Sequence, residues 1–283
     1  MKKVLVLAVA LMATILSARA EVELAYEAGF DAVSTYIWRG QYNGGMAFQP
    51  DLEIGYDGEY TAFRFGAWGN IGASDWMFRS GRATYINAAG DEINPNTYFV
   101  PEVDLFANFQ FFGTTIGLTH YYFFGGTPFF SKLEDGGSQT EFQVGYDFEH
   151  FFEQKFYINW YTMFAGSDAR YDENDIAHRA WSSYLELGYD YTWENIGLTL
   201  GAQLGMSPWE SPVYGNSKFA ITNLAVKVNK EWEFEHVTLE LYGQLSVNPD
   251  WTNKDLVWIS KGAGDEILYK QRLNEVIGLG VWF

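Results

Sequence analysis

From Leu185 to Gly205 the chain alternates. Leu185, Leu187, Tyr189 and Tyr191 are separated by Glu186, Gly188 and Asp190. After a Trp193-Glu194-Asn195 corner, Leu198, Leu200, Ala202 and Leu204 are separated by Thr199, Gly201 and Gln203. A period of two belongs to a β-strand with one apolar face, and both arms of this hairpin carry it. The period recurs along the chain and predicts twelve strands, over 24–39, 50–58, 61–71, 100–112, 114–124, 139–148, 155–165, 179–192, 196–206, 218–229, 236–247 and 272–283. Most are near the length of about 9–11 residues with which a tilted strand crosses a bilayer.

The connections between these strands alternate in length. Short ones fall around Gly58-Glu59, Gly113, His150–Gln154, Glu194-Asn195 and Glu231–Glu235. Longer ones fall at Gln41–Gln49, Gly72–Phe99, Gly125–Ser138, Gly166–His178, Ser207–Ser217 and Asn248–Gln271. Short periplasmic turns, long extracellular loops and an even strand number are the layout of an outer-membrane barrel. Proline, which cannot donate to a ladder, respects the assignment. Pro50 and Pro101 open strands, and Pro95, Pro128, Pro208, Pro212 and Pro249 fall in or beside long loops. Aromatic residues gather at both strand ends. Tyr56, Phe63, Phe109, Phe111, Phe148, Phe151, Tyr189, Trp193, Trp232, Phe234 and Phe283 lie by the short turns. Tyr36, Trp38, Tyr122, Phe124, Phe164 and Trp181 lie by the long loops. Two such belts mark the headgroup levels. Between them the outward set is aliphatic, as in Ile116, Leu118, Leu198, Leu200, Leu239 and Leu241. The expected fold is all-β, a 12-stranded antiparallel transmembrane β-barrel.

Composition narrows the possibilities further. Residues 1–20 have a basic start at Lys2 and Lys3, an apolar run from Val4 to Leu16 and a small-x-small Ala18-Arg19-Ala20 site. That is the layout of a secretory signal peptide, which assigns 1–20 to the signal and 21–283 to the barrel. The 283 residues hold 18 basic and 36 acidic side chains, a formal charge of −18, and three of the bases lie in the signal. So acidic a chain does not bind nucleic acid through phosphates. It has no cysteine, so thiolate metal sites, disulfides and lipoprotein anchoring are excluded. His120, His150, His178 and His236 lack metal-ligand spacing, no G-x-S-x-G occurs, and Thr119-His120-Tyr121 has no suitably spaced serine on its strand. No enzyme and no cofactor are expected. The acidic Asp168–Asp175 segment lacks the spaced D-x-D-x-D-G pattern of a strong calcium loop and reads as a solvated loop.

If the apolar face meets lipid, the other face lines the lumen. Arg39, Arg64, Asp31, Glu53, Glu102, Asp104 and Glu186 are the expected pore-lining charges, with Arg39 capping the outer mouth of the first strand or pairing with an acid such as Asp51. Rings including Trp68, Phe106, Tyr157, Tyr161, Tyr184, Tyr242 and Trp282 point the same way. An acidic lumen concentrates cations and repels anions, and rings beside amides suit neutral sugars. The competing reading is a paired polar core that fills the barrel, since about eight strands are filled and sixteen to eighteen leave a channel.

Two resemblances add to this. The final alternation, Ile277, Leu279, Val281 and Phe283, resembles the assembly signal of bacterial outer-membrane proteins, which implies recognition by the barrel-assembly machinery and periplasmic chaperones. Ser34-Thr35-Tyr36-Ile37-Trp38-Arg39-Gly40 resembles the first-strand pattern of the TorF-type porin family, and the whole layout resembles bacterial porins. The resemblance implies passive diffusion of small hydrophilic solutes through a Gram-negative outer membrane, among lipid and lipopolysaccharide. On the charge balance, cations or neutral sugars are expected ahead of anions. The alternative is a non-conducting barrel whose long loops bind a partner protein or carbohydrate through Trp76, Trp209, Trp251 and Trp258.

Overall fold

The computed structural model describes residues 23–72, 83–86, 92–93, 102–124, 128–135, 137–152, 155–250, 258–262, 265–269 and 273–283. The expected signal segment, Trp76, Trp251, Pro95 and Pro101 lie outside them, and of Trp258 only the backbone is described.

Twelve antiparallel strands close into one barrel. In chain order they are β1 (Glu23–Val33), β2 (Ala47–Asp57), β3 (Thr61–Gly72), β4 (Glu102–Phe111), β5 (Thr114–Phe123), β6 (Gln139–Asp147), β7 (Phe156–Gly166), β8 (Ser183–Trp193), β9 (Leu198–Ser207), β10 (Ala220–Glu233), β11 (Thr238–Val247) and β12 (Leu273–Trp282). Each pairs with its sequence neighbours, and β1 meets β12 from Gly29↔Trp282 to Val33↔Gly278. Closure leaves no free edge, which a sheet crossing lipid requires. The short connections all fall at one end and the long ones at the other. β4 and β5, for example, join through Phe112 (φ 46°) and Gly113 (φ 76°), the two left-handed positions of a tight type I′ hairpin.

The polarity is inverted relative to a soluble protein. Leu52, Ile54, Phe65, Ile116, Leu118, Leu200, Val226, Val228, Ile277 and Leu279 are exposed, whereas much of the buried set is polar: Glu102, Asp104, Glu141, Asn223, Asn229 and Asn274. Exposed hydrophobic residues on eleven of the twelve strands, β4 excepted, are the signature of a wall in hydrocarbon. Tyr189, Tyr191, Trp193, Trp232 and Phe234 are exposed near the short turns, and Phe124, Phe164 and Trp181 near the long loops.

Inward-facing glycines have a specific use. Tyr157 lies over Gly188, Tyr242 over Gly278, Phe106 over Gly66 and Trp282 over Gly29, each ring occupying the space a Cβ would need. In register these are direct cross-strand partners. The rings therefore lie along the wall instead of standing into the lumen.

Three boundaries differ from expectation. β10 runs on to Glu233, so the turn before β11 falls later than the expected Glu231–Glu235 segment. Pro50 sits inside β2 instead of opening it. The β2–β3 ladder passes from Phe48↔Ile71 to Asp51↔Trp68 and skips it, as a residue without an N–H requires, while Gln49 Nε2 donates to Asn70 Oδ1 at 3.0 Å across the gap. Most consequentially, the first strand ends at Val33, not at residue 39. Ser34 binds β12 through both its N–H to Ile277 O and its Oγ, which accepts from Ile277 N. The chain then leaves the wall.

Candidate functional site

Residues Tyr36–Trp38 and Gln41–Gly44 form a separate two-stranded hairpin, paired Trp38↔Gln41 around a two-residue tip. The tip is Arg39 (φ 50°) and Gly40 (φ 81°), again the left-handed pair of a type I′ turn. This places the guanidinium at the extreme end of the hairpin, and the hairpin folds into the barrel.

Its contacts trace a path across the lumen. Gly40 O accepts from Asn274 Nδ2 of β12 at 3.2 Å, and the Gly40 Cα packs so tightly on β10 that a Cβ would strike Thr222 O. Tyr36 tilts against Trp68 of β3 at 5.6 Å. Trp38 meets Tyr121 of β5 edge-on at 5.8 Å and stacks on Tyr214 at 5.4 Å. Ile37 packs at the root on Val33, Ala47 and Val276. Because β1 and β2 stand opposite β7 and β8 in the ring order, the hairpin spans the barrel's width.

Arg39 ends in a closed polar knot. Its Nη1 and Nη2 donate to Glu141 Oε1 and Oε2 of β6 at 2.6 and 2.7 Å. Tyr121 OH donates to Oε2 at 2.8 Å, and Tyr214 OH to Oε1 at 3.1 Å. Side-chain exposure is 10% for Arg39 and 2% for Glu141, so the pair is desolvated and depends on this two-pronged geometry. The guanidinium carbon lies 3.9 Å from the Tyr161 ring centroid, 4.7 Å from Trp38 and 4.9 Å from Tyr184, an aromatic cage around a cation. Tyr214 arrives from above on a single-turn helix, Pro212–Tyr214, closed by Gly215 in the left-handed region. Gln41 Nε2 donates to Val213 O at 3.2 Å, tying the two inward loops together.

The expected pore-lining charges do not converge. Arg39 belongs to the knot; it neither caps a strand mouth nor pairs with Asp51, because the type I′ tip carries it past β2 to the far wall. Glu102 and Asp104 are buried, with Glu102 in hydrogen-bond contact with Tyr36. Asp104 Oδ1 has no hydrogen-bond partner among the described residues. Glu186 lies on the other wall, in hydrogen-bond contact with Tyr184, Tyr157 and Asn159, the Tyr184 OH at 3.4 Å. Arg64 sits toward the short-turn end, 2.7 Å from Asp57 and 3.8 Å from Glu53. Around it β1 and β2 set Glu27 directly opposite Glu53, and Asp51 and Asp31 each keep one buried oxygen without a partner among the described residues. Lys227, 3.6 Å from Glu240, completes this side. The lumen on the short-turn side of the hairpin is thus walled by more carboxylates than cations. Sequence reasoning left out Glu141, Tyr121 and Tyr214 as site residues. Their connection spans 102 residues to Arg39 in one case and 175 in another, and no local spacing encodes it.

The acidic loop is organised by its own hairpin, Ala169–Tyr171 with Ala177–Arg179. Asp168 accepts from Ser182 Oγ at 2.6 Å, and burial pushes its carboxyl up from the usual aspartate value. The hydrogen bond from His178 to Asp172, followed by those from the Ile176 and Asn174 backbone, holds Asp172 below that value. Among the described residues no group of three or more His, Cys, Asp or Glu is placed to hold a metal ion.

No protein-family model and no curated protein matches the sequence, so the likeness at Ser34–Gly40 stands on those seven residues. Among solved structures the chain is similar to an outer membrane channel from Pseudomonas putida F1, at 11% identity and a TM-score of 0.40, over 92% of this chain and 93% of that one. It is also similar to a FadL homologue from Pseudomonas aeruginosa, at 9% and 0.34, over 93% and 89%. A third is OmpF from Salmonella typhi in complex with daunomycin, at 9% and 0.31, over 93% and 97%.

Proposed function

We propose that the protein is an outer-membrane channel for small hydrophilic solutes, cations and neutral sugars ahead of anions, with the Tyr36–Gly44 hairpin as its closing element. The observation that carries this reading is the hairpin itself. A wall segment that only filled a core would pack along the wall, whereas this one crosses the lumen and is fastened at its tip by one charged pair. The preference for cations rests on the acidic wall of Glu27, Asp31, Asp51 and Glu53 near Arg64.

The second reading, a permanently closed barrel, is favoured by the completeness of the knot, since both Glu141 oxygens are doubly satisfied. Planar-bilayer recording separates the two. Replacing Tyr36–Gly44 by a short Gly/Ser linker should give steady single-channel current, and a KCl gradient should give a reversal potential of the sign for cations. Neutralising Asp31 and Glu53 together should move that potential toward zero. Silence from the hairpin-less barrel, or a potential of the anionic sign, would overturn the proposal.

A further inference from the structure

A separate feature lies on the outside of the wall, at the long-loop rim of β7 and β8. Arg170, Arg179, Trp181, Trp209 and Glu210 line a pocket of about 430 Å³. Its position follows from register. Tyr161 pairs with Tyr184, which is buried in the lumen, so the adjacent Trp160, paired with Leu185, points outward. The Trp209 ring lies 5.7 Å from Trp160 and therefore covers the lipid-facing side.

The pocket is built, not incidental. Trp209 Nε1 donates to Trp181 O at 2.9 Å, and Ser183 Oγ donates to the same carbonyl at 2.8 Å. Asn216 Nδ2 holds Trp209 O at 2.6 Å. Trp181 keeps a left-handed backbone, φ 54°, with half its surface exposed, a conformation a bulky residue adopts only under constraint. Two fixed, exposed indoles at this height match the headgroup level of the outer leaflet. Beside them stand two of the chain's few arginines. Arg170 is exposed and makes no ion pair among the described residues. Arg179 Nη2 donates to Gly166 O at 2.9 Å, and its Nη1 is buried, with no acceptor among the described residues.

We propose that this rim pocket binds the phosphorylated glucosamine headgroup of lipopolysaccharide, with Arg170 and Arg179 on a phosphate, Trp181 and Trp209 against the sugar and Glu210 facing its amide or hydroxyl groups. The charge favours this locally: the lining is net positive on a chain of formal charge −18. A guanidinium fork matches a phosphate in shape and charge, and an indole beside it offers the apolar face that a sugar ring needs. The inference rests on the outer-membrane placement of the barrel and on none of the lumen's properties.

The test uses the full mature barrel in lipopolysaccharide-free detergent, titrated with diphosphoryl lipid A, dephosphorylated lipid A and inorganic phosphate. Wild type is compared with the Arg170→Gln/Arg179→Gln double variant and with Trp209→Ala. The double variant should bind diphosphoryl lipid A at least about tenfold more weakly, the loss expected from charge-assisted phosphate bonds. Dephosphorylated lipid A should bind wild type as weakly, and millimolar inorganic phosphate should not displace the lipid. Equal affinity of wild type and double variant would overturn the site. So would displacement by phosphate alone, which would make it a phosphate site without a lipid. Heat-modifiable migration on gels and an unchanged single-channel current show that the variants still fold. A conducting barrel indifferent to these arginines sinks the rim site and leaves the channel proposal standing.

Discussion

The knot at the hairpin tip makes a graded prediction. Glu141→Gln keeps the side chain's shape and one acceptor, but it turns an amide N–H₂ toward a guanidinium and removes the countercharge. With two N–H donors at 2.6 and 2.7 Å and exposures of 10% and 2%, the loss is about 3 kcal/mol. At about 1.4 kcal/mol per tenfold, the ratio of closed to open hairpin falls by roughly two orders of magnitude. Arg39→Asn goes further. Asn is at home at the left-handed position of a type I′ turn, so the tip survives. The cation–π contacts to Tyr161 and Trp38, together about 1–2 kcal/mol, are lost as well, and Glu141 keeps a buried charge served only by Tyr121 and Tyr214. The double variant has no unpaired charge, so it should be less open than Arg39→Asn alone, since partners in one network are not additive. Single-channel open probability at neutral pH should then rise in the order wild type, Glu141→Gln, Arg39→Asn, with the double variant below the last. Identical open probability in all four, or a double variant equal to the sum of the singles, would refute the idea that this pair holds the hairpin in the lumen.

Other outcomes follow from local geometry. Gly40→Ala puts a Cβ against Thr222 O at φ 81°, costing at least about 1–2 kcal/mol from backbone strain alone; open probability should rise about tenfold while heat-modifiable migration stays that of wild type. Asp172 is depressed by its His178 and backbone bonds, so it stabilises the Ala169–Arg179 hairpin at pH values above the ordinary 3.8. That contribution should disappear as the pH falls through the lowered folded value. Amide exchange at Asn174 and Ile176 should quicken there, and in Asp172→Asn it should be fast already at neutral pH. Gly188→Leu has no room beneath Tyr157 and should lift that ring into the lumen. In the hairpin-less background it should lower unitary conductance without changing ion preference, and an unchanged conductance would count against the ring-over-glycine account.

How much of this is legible in the chain differs between wall and lumen. The wall is local information: Leu198, Leu200 and Ala202 alternate with Thr199 and Gly201 wherever they stand, and lipid outside with water inside makes that alternation decisive. The hairpin is not, because Tyr36-Ile37-Trp38 continues the alternation of β1 past Val33. The one local sign was Arg39-Gly40, a two-residue pair suited to a type I′ turn, though with arginine where asparagine is usual. Arg39 was recognisable as an inward charge, but its partner was not. Nothing near Glu141 in the chain distinguishes it from Glu102 or Glu186, which face the same lumen and, among the described residues, form no ion pair with an arginine. The choice among these carboxylates is made by where the hairpin tip reaches, and that is a property of the closed ring.

The rings show why a twelve-stranded wall can leave a lumen for a hairpin to close. Trp68, Tyr157, Tyr242 and Trp282 look in sequence like material that would fill the interior, and an eight-stranded barrel is filled by such side chains. Here Tyr157, Tyr242, Phe106 and Trp282 each lie flat on the glycine directly across the ladder, so bulky residues stiffen and coat the wall while occupying little of its cross-section. Glycines such as Gly188 and Gly278 are then not weak points in strands. They are the recesses that keep aromatic mass out of the path. Tyr161 and Trp68 are exceptions. The ladder partners of Trp68 are Asp51 and Asp104, and its ring meets Tyr36 at the root of the hairpin. Those of Tyr161 are Gln143 and Tyr184, so no glycine lies directly across from it either, and its ring stands inward against the Arg39 guanidinium. Tyr184 does both: its hydroxyl end lies over Gly205, and its ring still borders Arg39. The inward aromatics thus separate by what lies across the ladder. A ring with glycine opposite defines the bore, and the rings without one receive the segment that shuts it, Tyr161 at its tip and Trp68 at its root.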